Sequence, residues 1–137
     1  ITSSKTVKRL KESADRVLLD VPCSGLGVLK RNPDAKWRDT AERLPVLMAL
    51  QADILSRYSK MVKPGGMLVY ATCSILPCEN QDQVAKFLAD QQGAFTLVRE
   101  RSISPAQSGF DGFYMALIRR EPTTDLPVAP TADDSDE

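Results

Sequence analysis

Two short apolar runs in this chain each end in a cysteine flanked by polar side chains. The first, Arg16-Val17-Leu18-Leu19-Asp20-Val21-Pro22-Cys23-Ser24-Gly25-Leu26-Gly27, delivers a carboxylate, a proline, a thiol and two glycines in close order. The second, Met67-Leu68-Val69-Tyr70-Ala71-Thr72-Cys73-Ser74, ends in a thiol between two hydroxyl groups. A thiolate is a nucleophile for electron-poor carbon, and a nearby carboxylate can hydrogen-bond a substrate or stabilise charge on it. The chain contains no histidine. Ser-His-Asp and Cys-His pairs are therefore excluded within it, and thiol chemistry must be activated without an imidazole. A cysteine taken alone is most often a buried structural residue, and an isolated Asp20 serves equally well as a turn former. The chemical reading rests on convergence, with two thiols and one carboxylate brought to one place.

A strand–helix–strand unit would bring them there. Arg16 to Asp20 reads as a buried strand, its consecutive apolar residues matching a sheet covered by helices on both faces. Val21 to Asp39, rich in Pro, Gly and Asn, reads as a long loop, and loops of that length inside a domain are usually functional. Leu44, Leu47, Met48, Gln51, Ile54, Leu55, Tyr58, Met61 and Val62 then follow helical spacing. Pro45 fits the first turn of that helix, and Lys63-Pro64-Gly65-Gly66 stops it and turns the chain. Met67 to Ala71 is the second strand. Parallel strands joined by a helix have their C-termini on one rim, where open α/β sheets hold their ligands. Beyond it the pattern gives a helix at 80–91 ended by Gly93, a strand from Phe95 to Arg99, a loop over 101–111 and a last strand from Gly112 to Arg119, antiparallel to its predecessor. The fold class is α/β, with parallel strands ending in an antiparallel pair.

Composition narrows the function classes. Residues 1–120 carry 18 basic and 12 acidic side chains, a net of +6, whereas 121–137 carry six acidic and no basic ones. A basic body suits a polyanionic partner. The acidic tail, rich in Pro, Thr and Asp, is expected to be disordered, giving one domain over 1–120 and a tail over 121–137. No apolar run approaches the roughly 18 residues of a membrane span, and the N-terminal residues do not form a signal peptide. Cys23, Cys73 and Cys78 are odd in number and unevenly spaced, which suits reduced intracellular thiols rather than a disulfide framework. No metal site is expected, and Cys78 is given no role.

The separated motifs Leu19-Asp20-Val21-Pro22-Cys23-Ser24-Gly25-Leu26-Gly27, Arg31-Asn32-Pro33-Asp34, Lys36-Trp37, Lys63-Pro64-Gly65-Gly66, Tyr70-Ala71-Thr72-Cys73-Ser74 and Asp111-Gly112-Phe113-Tyr114-Met115-Ala116 together resemble the RNA 5-methylcytosine methyltransferases of the Sun/NOL/NOP family. The character of Val28 to Arg38 is closest to the ribosomal-RNA members. The resemblance implies a Rossmann-like S-adenosylmethionine-dependent methyltransferase, of which this chain would hold the C-terminal catalytic part. It implies Cys73 as the nucleophile toward carbon 6 of cytosine, Cys23 as the group that assists product release, and Asp20 beside both base and cofactor. Asp20 and Pro22 would be cofactor contacts. Ser24, Lys30, Arg31, Lys36 and Arg38 would contact RNA, and Trp37 would pack on the core.

Two departures from the family pattern stand out. Cys78-Glu79 occupies a place where members often carry two acidic residues, and no glycine-rich cofactor loop precedes Asp20. The chain alone is therefore expected to be inactive, and an open strand edge at Val17–Asp20 invites self-association. Cytoplasmic localisation is expected. The alternatives are a DNA cytosine-5 methyltransferase with Cys23 as nucleophile, and a non-catalytic nucleic-acid-binding module.

Overall fold

A computed structural model of the chain describes residues 4–24, 37–108 and 111–122. After α1 (Ser4–Arg9), the elements are β1 (Ala14–Asp20), α2 (Trp37–Tyr58), β2 (Val62–Thr72), α3 (Gln81–Asp90), β3 (Phe95–Ile103), the single turn α4 (Pro105–Ser108) and β4 (Phe113–Arg120), with 3-10 turns at Ser59–Met61 and Pro77–Glu79. They form one four-stranded sheet in the order β1-β2-β4-β3. β1 and β2 are parallel, pairing Leu19 with Tyr70 and Asp20 with Ala71. β4 runs antiparallel to both β2 and β3. The strand–helix–strand unit therefore carries the C-terminal ends of β1 and β2 to the same rim.

Register and alternation select the core face. Val17, Leu68, Ile118 and Leu97 lie in one row across the sheet, and Leu19, Tyr70 and Ala116 in another. Leu68, Tyr70, Tyr114, Ala116 and Ile118 are fully buried there. Tyr70 and Tyr114 meet edge to face, with ring centroids 6.4 Å apart. α2 and α3 cover this face through Leu55, Val84 and Phe87, and Phe87 packs on Phe95 at 5.0 Å. On α2 the buried stripe is Leu47, Gln51 and Leu55, the four-residue spacing that keeps side chains on one helical face.

Several elements differ from the sequence reading. Leu18 is 68 % exposed and Met115 is 46 % exposed, so the expectation of helices on both sheet faces is corrected: among the described residues α2 and α3 cover one. α2 begins at Trp37, inside the expected 21–39 loop, and Pro45 lies in the helix interior rather than its first turn. Pro45 is exposed, so water can take the hydrogen bond that its missing N–H leaves unmade. β3 continues to Ile103 and α4 follows, where a loop over 101–111 was expected. Pairing with β4 through Ile103↔Phe113 extends the strand beyond its alternating segment.

Lys63-Pro64-Gly65-Gly66 does not leave the sheet. It bulges within β2, between the pairs Ala14↔Val62 and Arg16↔Met67. Gly65 has φ +84°, and a Cβ on Gly66 would stand 2.8 Å from the Asp15 carbonyl oxygen, so glycine is required at both positions for different reasons. Glu121 is held by its backbone N–H to Ala94 O at 2.9 Å and by Thr96 Oγ1 at 2.6 Å. Thr96 and Arg119 keep its carboxyl below the usual value. From residue 123 on, the tail expected to be disordered over 121–137 lies outside the described residues. No helix among the described residues is long and apolar enough to cross a membrane.

Candidate active site

β1 and β2 end side by side, and the ladder continues one step past β1 through Val21 N–H to Ala71 O at 3.1 Å. Asp20 is exposed at the end of β1. Pro22 then redirects the chain, leaving Cys23 and Ser24 half-buried. On β2, Thr72 is buried and Cys73, the next residue, is exposed. The backbone N–H of Cys73 donates to Cys23 Sγ at 3.3 Å, so the two thiols occupy the same rim. None of the three cysteines is in a disulfide.

The polar groups beneath this rim converge on Glu79, which is fully buried. Its Oε1 accepts from Ser24 N–H at 2.7 Å and from Gln51 Nε2 at 3.0 Å. Its Oε2 accepts from Ser24 Oγ at 2.6 Å and from Ser74 Oγ. Gln51 also donates to Pro22 O at 2.8 Å and is itself held by Gln83 Nε2 at 3.2 Å. The Glu79 carbonyl accepts from Tyr70 Oη at 2.7 Å. Burial and the neighbouring Glu79 charge push the Tyr70 hydroxyl well above its ordinary value, keeping it a donor. On the Cys73 side, Thr72 Oγ1 donates to Asn80 Oδ1 at 2.6 Å and Asn80 Nδ2 donates to Ser74 O at 2.9 Å. A buried carboxylate is tolerated where several donors satisfy its lone pairs.

Glu79, Gln51 and Asn80 are site residues that the sequence reading did not place. Gln51 carried a signal, being a polar residue inside the apolar stripe of α2. Glu79 appeared only as one of two acidic positions. Cys78 is half-buried, and burial together with Glu79 pushes its thiol up. Asp20 and Pro22 line a cleft of about 480 Å³ along β1, walled by Val17, Leu18, Leu50 and Ile54 of β1 and α2. Neither cysteine lines it. A separate hollow of about 220 Å³ is lined by Ser74 together with Ile75, Asn80 and Phe113. Lys30, Arg31 and Lys36 lie outside the described residues, as do the side chains of Trp37 and Arg38. Phe113 is exposed and Tyr114 is buried.

An exposed thiol beside a second thiol can add to a planar ring from the rim while the second acts on a neighbouring ring atom. A family model described as 16S rRNA methyltransferase RsmB/F matches residues 2–119. The chain is 48 % identical over 116 residues to ribosomal RNA small subunit methyltransferase B of Shewanella oneidensis, covering 78 % of this chain and 27 % of that protein. It is 50 % identical over 129 residues to the probable ribosomal RNA small subunit methyltransferase B of Synechocystis, covering 83 % of this chain and 29 % of that one. Among solved structures, NSun6 from Pyrococcus horikoshii with SFG superposes with a TM-score of 0.72 at 25 % identity, over 87 % of this chain and 33 % of that one. PH0851 gives 0.75 at 33 % identity, over 80 % of this chain and 27 % of that one. The chain thus spans little more than a quarter of the length of the curated relatives it matches.

Proposed function

Because the chain belongs to the 16S rRNA methyltransferase RsmB/F family, we propose that it is the catalytic part of a longer enzyme that methylates carbon 5 of cytosine in ribosomal RNA. The observation that carries this reading is the Cys73 N–H to Cys23 Sγ contact at 3.3 Å, which brings the two cysteines together at one rim of the sheet. Cys73, the exposed one, adds as a thiolate to carbon 6 of the ring. The new sulfur–carbon bond pushes the 5,6 π pair toward carbon 5 and makes that carbon nucleophilic. After methylation Cys23 removes the proton from carbon 5. The electron pair left behind restores the double bond and expels the Cys73 thiolate. Asp20, as a carboxylate, accepts a hydrogen bond from the amino group of the ring and orients the base for addition.

The cleft beside Asp20 and Pro22 suits S-adenosylmethionine, combining apolar walls with the Asp20 carboxylate and the Asp53–Arg57 ion pair. SFG, bound in the NSun6 structure, is an analogue of that cofactor. When bound, S-adenosylmethionine supplies the electrophilic methyl group that carbon 5 accepts. Ser24, Lys30, Arg31, Lys36 and Arg38 would meet the RNA, with the basic side chains meeting phosphates, and the target base leaves its stack to reach the rim. Cytoplasmic localisation is part of the same proposal.

The test is made in the full-length enzyme. Cys73→Ala abolishes methyl transfer, by at least about 10³-fold, without a covalent RNA adduct, whereas Cys23→Ala accumulates the adduct on denaturing gels. An adduct trapped by Cys73→Ala would reverse the two assignments and give Cys23 the nucleophile's role. Absence of S-adenosylmethionine binding would leave a non-catalytic nucleic-acid-binding module.

A further inference from the structure

We infer that Glu79 is a positioning residue that holds the two thiols in mutual register, an inference resting on the two-cysteine reaction proposed above. Its one carboxylate grips the residue after each cysteine: Ser24, through both N–H and Oγ, and Ser74, through Oγ. Those two residues are fifty positions apart in the chain. Fixing the peptide that follows a cysteine fixes the direction of its Cα–Cβ bond. The 3.3 Å contact between Cys73 N–H and Cys23 Sγ is the geometry that results.

The two sides depend on Glu79 unequally. Cys73 continues a strand whose last residue, Thr72, pairs with Tyr114. Ser74 is further tied through its carbonyl to Asn80 and through its N–H to Thr72 Oγ1 at 3.2 Å. Ser24 lies past the end of β1 and meets Glu79 with both main chain and side chain. Loss of Glu79 therefore displaces Cys23 more than Cys73. Addition to carbon 6 survives in part, and release, which needs Cys23 against carbon 5, fails. A misplacement of about 1 Å can cost about 10²-fold in rate.

The role is geometric, so an uncharged side chain of the same shape serves. Glutamine can present its oxygen to Ser24 N–H and Gln51 Nε2, and its amide group to Ser24 Oγ and Ser74 Oγ, since both hydroxyls can accept. Alanine offers none of these contacts.

In the full-length enzyme, Glu79→Ala is expected to lower single-turnover methylation about 100-fold and to accumulate the covalent RNA adduct, as Cys23→Ala does. Glu79→Gln is expected to stay within about tenfold of the parent and to accumulate little adduct. Equal impairment of the Gln and Ala variants would show that the charge is what matters and overturn the inference. So would a folded Glu79→Ala protein that loses methylation without adduct, or one that loses nothing. Should Glu79→Ala fail to fold, Ser24→Ala removes one of the four contacts, and its adduct fraction must rise above the parent's for the inference to stand. If Cys23→Ala itself traps no adduct, the two-thiol mechanism falls, and the inference is then judged on the Gln-versus-Ala difference in turnover alone.

Discussion

Tyr70 and Glu79 are joined by a hydrogen bond from the phenol to a main-chain carbonyl, 2.7 Å long and buried. It ties the central row of the core to the 3-10 turn that carries the Glu79 carboxylate. Tyr70 pairs with Leu19 on β1 and with Ala116 on β4, so the sheet that positions both cysteines also fixes the group linking the segments behind them. Core packing and site geometry are therefore coupled through one side chain.

Tyr70→Phe tests that coupling. The ring and its contact with Tyr114 remain, but a buried carbonyl loses its donor, at a cost of about 1–3 kcal/mol. Lower thermal stability is expected in the full-length protein, together with a rise in trapped covalent adduct because the Glu79 turn is freed. Unchanged stability would mean that another donor replaces the phenol.

Gly66→Ala tests the bulge. The added Cβ would stand 2.8 Å from Asp15 O and 2.9 Å from Lys63 O, both main-chain atoms that cannot move aside cheaply. A loss of about 1–3 kcal/mol is expected, read from denaturant unfolding. Gly66 is in β2, which leads directly into Cys73, so a strain large enough to shift the register would also lower activity.

Leu18→Lys tests the open edge. β1 has one strand neighbour among the described residues, β2, and Leu18 on its uncovered face is 68 % exposed. The 137-residue chain is expected to self-associate there. Removing a leucine side chain from such a contact forfeits about 1.5–3 kcal/mol, so the dimer dissociation constant should rise roughly 10- to 100-fold. Sedimentation equilibrium reads it directly, and an unaffected monomer–dimer balance would place self-association elsewhere.

The local features were legible in the chain itself. Apolar runs closed by Asp20, Pro22 and Gly25, or by Thr72 and Ser74, fix where strands end, because alternation, turn residues and helix spacing act over a few neighbours. That alone put Cys23 and Cys73 at strand ends and made a parallel pair joined by α2 the natural reading. What the sequence could not decide depends on contacts across long stretches of chain. β4 inserts between β2 and β3, a choice made by the burial of Tyr114, Ala116 and Ile118 against the helices. Gln51 reads as a slot in an apolar stripe until Pro22, Glu79 and Gln83 surround it. Glu79 is only one acidic position in a family pattern until Ser24 and Ser74 arrive with their donors. A carboxylate's role depends on which donors close around it, and here those donors come from three separated segments that only the folded sheet and its helices bring together.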